Sequence, residues 1–237
     1  MVRGGCVVSE VRSATRAELA GLPLGVAPRL LGGHLTTVLP DGTVTVRITE
    51  VEAYHGLGTG AVPDPGSHAR MGPTARNAVM WGEPGHLYVY LSHGIHSCVN
   101  VVCGPEGTAG GVLLRGGEVI DGRDVAFRRR PAARVERDLA RGPGRLGDAV
   151  GLRYPVHNGV DALEGPIARL ELRDPPHVDI ATGPRVGVAG VAGTAAFPWR
   201  FWIPGDPTVS PFRFGRGAGE LAAESAGRQG DTPPVLD

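Results

Sequence analysis

Two glutamates and a tyrosine lie at alternate positions near the end of one predicted strand. The segment 43–54 reads TVTVRITEVEAY. Alternate residues of a strand share a face. Val44, Val46, Ile48, Glu50, Glu52 and Tyr54 therefore form one set, and Thr43, Thr45, Arg47, Thr49, Val51 and Ala53 the other. The set that begins Val-Val-Ile is expected to meet the core, which turns two carboxylates inward. An inward carboxylate is costly unless it opens into a polar cleft, and a cleft carboxylate is a candidate general acid or base. A strand end running into solvent is the plainer reading; Tyr54 and His55 beside the acids favour the cleft.

The second constellation is a predicted hairpin, HLYVYLSHGIHSCVNVV at 86–102. Tyr88 and Tyr90 share a face, and His93 stands at the tip beside Gly94. A planar side chain on a tight tip can act as a wedge between stacked bases, although a tip histidine is ordinarily just solvated. His93, His96, Cys98 and Cys103 invite a metal, and His96 and Cys98 would share a strand face; both residue types bind zinc. Their spacing fits no familiar zinc pattern, and no metal or cofactor is expected. Arg128–Arg130, Arg134, Arg137, Arg141 and Arg145 read either as solvated helix faces or as a strip that contacts phosphates. The run LARGPGRLG at 139–147 is glycine-rich but weak as an isolated nucleotide motif.

These residues need positioning elements. A hairpin is expected from Leu35–Leu39, a turn at 40–42 and the long strand 43–54. Further strands are expected at 87–91, 95–102, 112–115, 167–172, 185–190 and 200–203. Helices are expected at 13–21 with Ser13 as N-cap, at 27–31, 74–81, 121–130 and 143–150. Residues 55–73 read as loop, and the small, polar tail 215–237 as disordered, leaving 1–214 as one domain. Strands arranged in hairpins favour α+β over a doubly wound sheet.

At 237 residues with 41% hydrophobic content, the chain can bury a sizeable core without staples. No apolar run approaches a membrane span, and the opening residues lack the apolar stretch of a signal peptide. Three cysteines form no disulfide framework, so a reduced, cytoplasmic protein is expected. Net charge is zero, yet residues 70–145 hold 11 Arg against 7 acids, a local excess able to hold phosphates. All 24 basic residues are Arg. No lysine amine is available for a Schiff base, so covalent imine catalysis would have to use the N-terminus.

Taken together, four blocks resemble the alkyladenine (3-methyladenine) DNA glycosylase family, bacterial branch. They are TEVEAYHG at 49–56, DPGSHARMGPTARNAVMWGEPGHLYVYLSHGIHSCVNVV at 64–102, GGVLLRGGEVIDG at 110–122 with LARGPGRLGDAVGL at 139–152, and RVGVAG at 185–190 with PWRFWIPGDPTVS at 198–210. The likeness spans about residues 20–212. It implies a single α+β domain with a curved, mostly antiparallel sheet and peripheral helices, like the C-terminal domain of formyltransferases. It also implies a monomer that flips a damaged purine from duplex DNA and hydrolyses its glycosidic bond.

Carried over by motif, Glu52 is the base that activates water, and Arg115 helps hold it. Tyr54 and Tyr90 stack on the flipped base, His68 hydrogen-bonds it, and Asn100 rejects guanine through its 2-amino group. Glu50 has no role in that pattern. The chain departs from it at the intercalating tyrosine, which is His93 here. The loop before His68 is longer, and Pro73 and Ala75 replace an Arg and a Pro, a change that would remove a phosphate contact. The expected enzyme is monofunctional, with 3-methyladenine, 7-methylguanine, hypoxanthine and ethenoadenine as substrates, and nucleoid-associated when on DNA. The rival readings are a non-catalytic nucleic-acid-binding module of the same fold, resembling the RNA-binding part of formyltransferases, and a metal-dependent hydrolase using His93, His96 and Cys98.

Overall fold

A computed structural model describes residues 10–177 and 179–230; the opening segment read above for a signal peptide lies largely outside them. The elements are β1 (Glu10–Ser13), α1 (Arg16–Leu19), α2 (Pro23–Leu30), β2 (His34–Leu39), β3 (Gly42–His55), β4 (His86–Ser92), β5 (His96–Val102), β6 (Gly110–Asp121), α3 (Arg123–Arg129), β7 (Ala140–Arg141), α4 (Pro143–Val150), β8 (Val160–Asp161), β9 (Ala168–Asp174), β10 (Ala181–Gly183), β11 (Arg200–Trp202) and α5 (Ala218–Gly230). The strands make one sheet in the order β1-β9-β2-β3-β6-β5-β4-β8, with β11 joined to β3, β10 to β11, and β7 to β6. All pairings among the described residues are antiparallel. This is the single α+β domain with a curved sheet and peripheral helices expected from the sequence.

Local chemistry explains several boundaries. Helix α1 starts at Thr15, not Ser13, because Thr15 and Glu18 form a reciprocal capping box; Ser13 ends β1 instead. Helix α2 begins at Pro23, in its first turn, where the missing N–H costs nothing. Helix α4 again has Pro143 in its first turn and stops at Gly151, whose φ of 73° allows its N–H to reach Asp148 and Gly147 carbonyls. Only residues 78–81 of the expected helix 74–81 are helical, as a 3-10 turn. The tail also needs correction: Ala218–Gly230 forms α5. Its Ala, Glu, Leu and Gln are strong helix formers, and Ala218 is fully buried. Residues 231–237 lie outside the described residues.

Helices α2, α3 and α4 cover one face of the sheet. Leu30, Ala126, Leu146, Ala149 and Val150 share an apolar cluster with Val44, Val46, Ile48, Val99, Val101 and Val112. A smaller cluster, Ala69, Met80, Tyr88, Val102 and Ala109, forms elsewhere, beneath the loop 56–77.

The expected alternation along β3 fails at its centre. The residues that join the main core are Val44, Val46 and Ile48, then Val51 and Ala53. Parity changes where the β3–β6 register is irregular, between Ile48 and Glu50 and between Glu50 and Val51. Strand β6 changes with it, its core residues being Val119, then Leu114 and Val112. At the bulge, successive residues Thr49 and Glu50 both turn to one segment: Thr49 Oγ1 lies 2.8 Å from Thr208 Oγ1, and Ser210 N donates to Glu50 Oε2 over 2.7 Å. The two carboxylates therefore do not extend the Val-Val-Ile face. A bulge moves them to the other side of the sheet.

Gly116 pairs with Glu50 at this point. A Cβ there would lie 2.8 Å from Thr208 O and 3.1 Å from Glu50 Oε2. Gly116→Ala is expected to destabilise the fold by about 1–3 kcal/mol through overpacking, read as a lower urea midpoint at unchanged m-value.

Candidate active site

The far end of β3 and the β4–β5 hairpin face a cavity of about 940 Å³ whose lining includes Glu52, Tyr54, His68, Tyr90, His93, Asn100 and Arg115. The seven site residues that the resemblance implies thus line one cavity.

Glu52 is fully buried. Its Oε1 accepts from Val186 N at 2.7 Å and lies 3.5 Å from Arg115 Nη1. Its Oε2 accepts from Tyr54 OH at 2.8 Å. Burial and the Glu52 charge hold the Tyr54 phenol well above its ordinary pKa, so Tyr54 stays a protonated donor. A carboxylate offers about four acceptor positions. Oε2, with one partner, keeps an unused acceptor position.

Glu50, left without a role by its position in the sequence, is the neighbouring hub. It is fully buried and accepts from Arg115 Nε at 3.1 Å, Arg200 Nε at 2.6 Å, Ser210 N at 2.7 Å and Ser210 Oγ at 3.0 Å. Arg115 bridges the two acids. Burial opposes its charge, but Glu52 and Glu50 outweigh that and raise its pKa.

The aromatic wall is a packed cluster. Tyr88 and Tyr90 stack at 5.4 Å and 22°, and His68 meets Tyr90 edge-on at 4.5 Å. Burial pushes Tyr88 up to about 12 and raises Tyr90 further. Desolvation against these rings, with Arg76 and Arg70 nearby, lowers the His68 pKa from 6.5, leaving the imidazole neutral at pH 7. The backbone under His68 is tied by Asn77, whose Nδ2 donates to His68 O at 3.0 Å and whose Oδ1 accepts from Thr74 N at 2.6 Å. Asn100 is oriented by donation from Nδ2 to Tyr88 O at 3.0 Å.

His93 occupies the hairpin tip with φ 51°, followed by Gly94 at 71°. Ile95 N donates back to Ser92 O at 3.0 Å. Positive φ at both central positions is what tight hairpin turns need, and His is among the few side chains that tolerate it. Ile95 beside it is 73% exposed.

The arginine run divides. Arg130, Arg134, Arg141 and Arg145 line the cavity with Arg70 and Arg213. Arg129 instead forms a two-point pair with Asp41, and Arg128 donates to Asp41 O. The rim is cationic, with Asp138 as its acid. The metal constellation does not assemble: among the described residues no three His, Cys, Asp or Glu side chains could hold an ion. Cys98 and Cys103 are buried free thiols.

Residues 185–190, expected as a strand, are irregular, with positive φ at Gly187 and Gly190. That break matters, since Val186 N then donates to Glu52 rather than to a ladder. Sequence pattern alone missed Val186, Asn77, Arg200 and Ser210. The one available signal was the Gly-x-x-Gly spacing of 187–190, which argues against a strand.

A buried carboxylate, a neutral imidazole and stacked phenols thus share one cavity with a cationic rim, an arrangement suited to a ligand that is aromatic and anionic. Sequence comparison agrees. Residues 18–207 match the Methylpurine-DNA glycosylase family, and the chain belongs to it. A similar protein from Nocardia farcinica is 54% identical over 199 residues, covering 83% of this chain and 90% of that protein. One from Leifsonia xyli subsp. xyli is 53% identical over 194 residues (80% and 88%), and one from Streptomyces avermitilis 49% over 202 residues (84% and 91%). All three bear the name "Putative 3-methyladenine DNA glycosylase". The chain is a DNA-binding glycosylase of base-excision repair that acts on alkylated purines. No helix among the described residues is long and apolar enough to cross a membrane.

Glu50→Ala would leave Arg115 and Arg200 buried with too little negative charge. Removing one partner of a buried ion pair costs about 3–5 kcal/mol, so this variant is expected to lose that much in urea unfolding.

Proposed function

We propose that the protein, acting as a monomer on double-stranded DNA, extrudes a damaged purine into the cavity and hydrolyses its glycosidic bond with a water activated by Glu52. The observation that carries this reading is the Glu52 side chain, which lines the cavity and whose Oε2 accepts a single hydrogen bond, from Tyr54 OH. A carboxylate there takes the water's proton and offsets positive charge developing on the sugar. Arg115 and Val186 N fix its orientation. Tyr54 and Tyr90 are the faces against which the base stacks. Neutral His68 hydrogen-bonds it, and Asn100 excludes the 2-amino group of guanine. 3-Methyladenine, 7-methylguanine, hypoxanthine and ethenoadenine are the proposed substrates. The cationic rim and the uncapped amino end of α4, where Gly142, Pro143 and Gly144 line the opening, suit DNA phosphates.

With no lysine in the chain, the product is an abasic site on an uncut strand. On duplex DNA carrying alkylated purines, wild-type enzyme is expected to yield strand breaks after alkali and none before it, with no borohydride-trapped adduct. Glu52→Gln is expected to lower the single-turnover rate by about 10²–10⁴-fold, the usual worth of a general base, while duplex binding persists. Undiminished release by Glu52→Gln would overturn the mechanism.

The wedge is His93, backed by exposed Ile95, at a tip fixed by its own turn. Unstacking a base step costs a few kcal/mol, so His93→Ala is expected to weaken binding to lesion-bearing duplex by about tenfold, or roughly 1.4 kcal/mol. Its salt slope should be unchanged, because no phosphate contact is removed. Equal lesion binding by wild type and His93→Ala would exclude the wedge role.

A further inference from the structure

The motif pattern assigns no role to Arg185, although it is fully buried. Its Nη1 and Nη2 donate to Asp64 at 2.8 and 2.7 Å in a two-point pair, and both side chains are inaccessible to solvent. Nη1 also donates to Ala53 O at 3.1 Å, and Nη2 to Ala192 O at 3.3 Å. The guanidinium lies over the Tyr54 ring at 4.5 Å and over Trp199 at 5.0 Å. Tyr54 lines the cavity and Arg185 does not, so the cation stands behind the tyrosine.

Three walls of the cavity meet at this one group. Asp64 belongs to the loop that carries His68, and it accepts from His55 N and Gly66 N as well. Ala53 and Tyr54 belong to β3. Arg185 itself precedes Val186, whose N–H holds Glu52. Both hydrogen bonds that orient the carboxylate, from Tyr54 OH and from Val186 N, thus come from groups that Arg185 touches or adjoins.

We propose that Arg185, clamped by Asp64, is a positioning residue for the hydrolytic step: it fixes Tyr54 and Val186 so that their donors aim Glu52 at the water. The planar five-donor fork is essential to this. It reaches a carboxylate, two carbonyls and an aromatic face at once, which a lysine ammonium cannot do. The inference rests on Glu52 being the base.

The test is single-turnover release of purines from methylated duplex DNA, enzyme in excess, with rate constant and amplitude recorded separately. Arg185→Lys is expected to slow the rate constant by about 10- to 100-fold, the scale of a misplaced reacting group, with the duplex Kd within about threefold of wild type. A merely structural role would lower the amplitude, as less enzyme is folded, and leave the rate constant per active site unchanged. That result would overturn the proposal. Arg185→Lys placed in a Tyr54→Phe background is expected to slow release less than it does alone, because one route to Glu52 is already gone. Full multiplication of the two losses would exclude action through Tyr54. If Arg185→Lys does not fold, Asp64→Asn loosens the same clamp while keeping its shape. It is expected to show a smaller slowing of the same kind, and an unchanged rate constant in Asp64→Asn would refute the clamp. Glu52→Gln in the same assay separates the two readings. Wild-type release there removes the base, whereas an inactive Glu52→Gln beside an unaffected Arg185→Lys removes only the positioning role.

Discussion

Two carboxylates buried two residues apart on one strand are tolerable only because Arg115 lies between them. An ionised carboxylate taken from water pays a desolvation penalty of several kcal/mol. Like charges so close add repulsion. Arg115 Nε reaches Glu50 and its Nη1 approaches Glu52, so one cation serves both acids, and Arg200 supplies the second positive charge. Much of the local architecture follows from that balance. The bulge in β3 brings Thr49 and Glu50 onto the side of the 208–210 segment. Gly116 leaves room for the Glu50 side chain. Strand β11 pairs with β3 so that Arg200 stands opposite Glu52. A guanidinium suits the bridging position because it donates in two directions from one plane.

The remaining walls are built from loops rather than ladders. Long loops in compact domains are stable where their own polar groups are satisfied. Here Asp64, Thr59, Ser67 and Asn77 are buried and hydrogen-bonded within or beneath the 56–77 loop. That loop places the His68 ring centroid 4.5 Å from that of Tyr90. The loop's anchors, Asp64 before His68 and Asn77 after it, bracket the histidine.

Elements whose signals are local were legible in the sequence. Helix α4 runs over 143–150 as expected, between a proline start and a glycine stop, and β2, β3, β4 and β5 follow from alternation and turn residues. Features that depend on partners were not legible. Glycines 116 and 117 argue against a strand by propensity, yet β6 runs from Gly110 to Asp121, because close backbone approach there needs the absence of a Cβ. The bulge inverted the face assignment of β3: Glu52 lines a cleft and Glu50 does not, and the expected continuity with Val44, Val46 and Ile48 does not hold. Val186 could not be found from side-chain chemistry, since it contributes only a backbone N–H.

The count of donors distinguishes the two acids more sharply than burial does, for both are fully enclosed. Glu50 accepts four hydrogen bonds from Arg115, Arg200 and Ser210 and does not line the cavity. Four donors, two of them on guanidinium cations, hold that carboxylate as a fixed counter-charge away from the cavity. Glu52 accepts two hydrogen bonds, has a guanidinium at 3.5 Å, and lines the cavity. It keeps an acceptor position that no protein group fills. The same strand thus carries one acid whose neighbours consume its valence and one whose neighbours only aim it. The bridging Arg115 ties both acids into a single network, so Glu50 supports Glu52 by holding their shared cation in place.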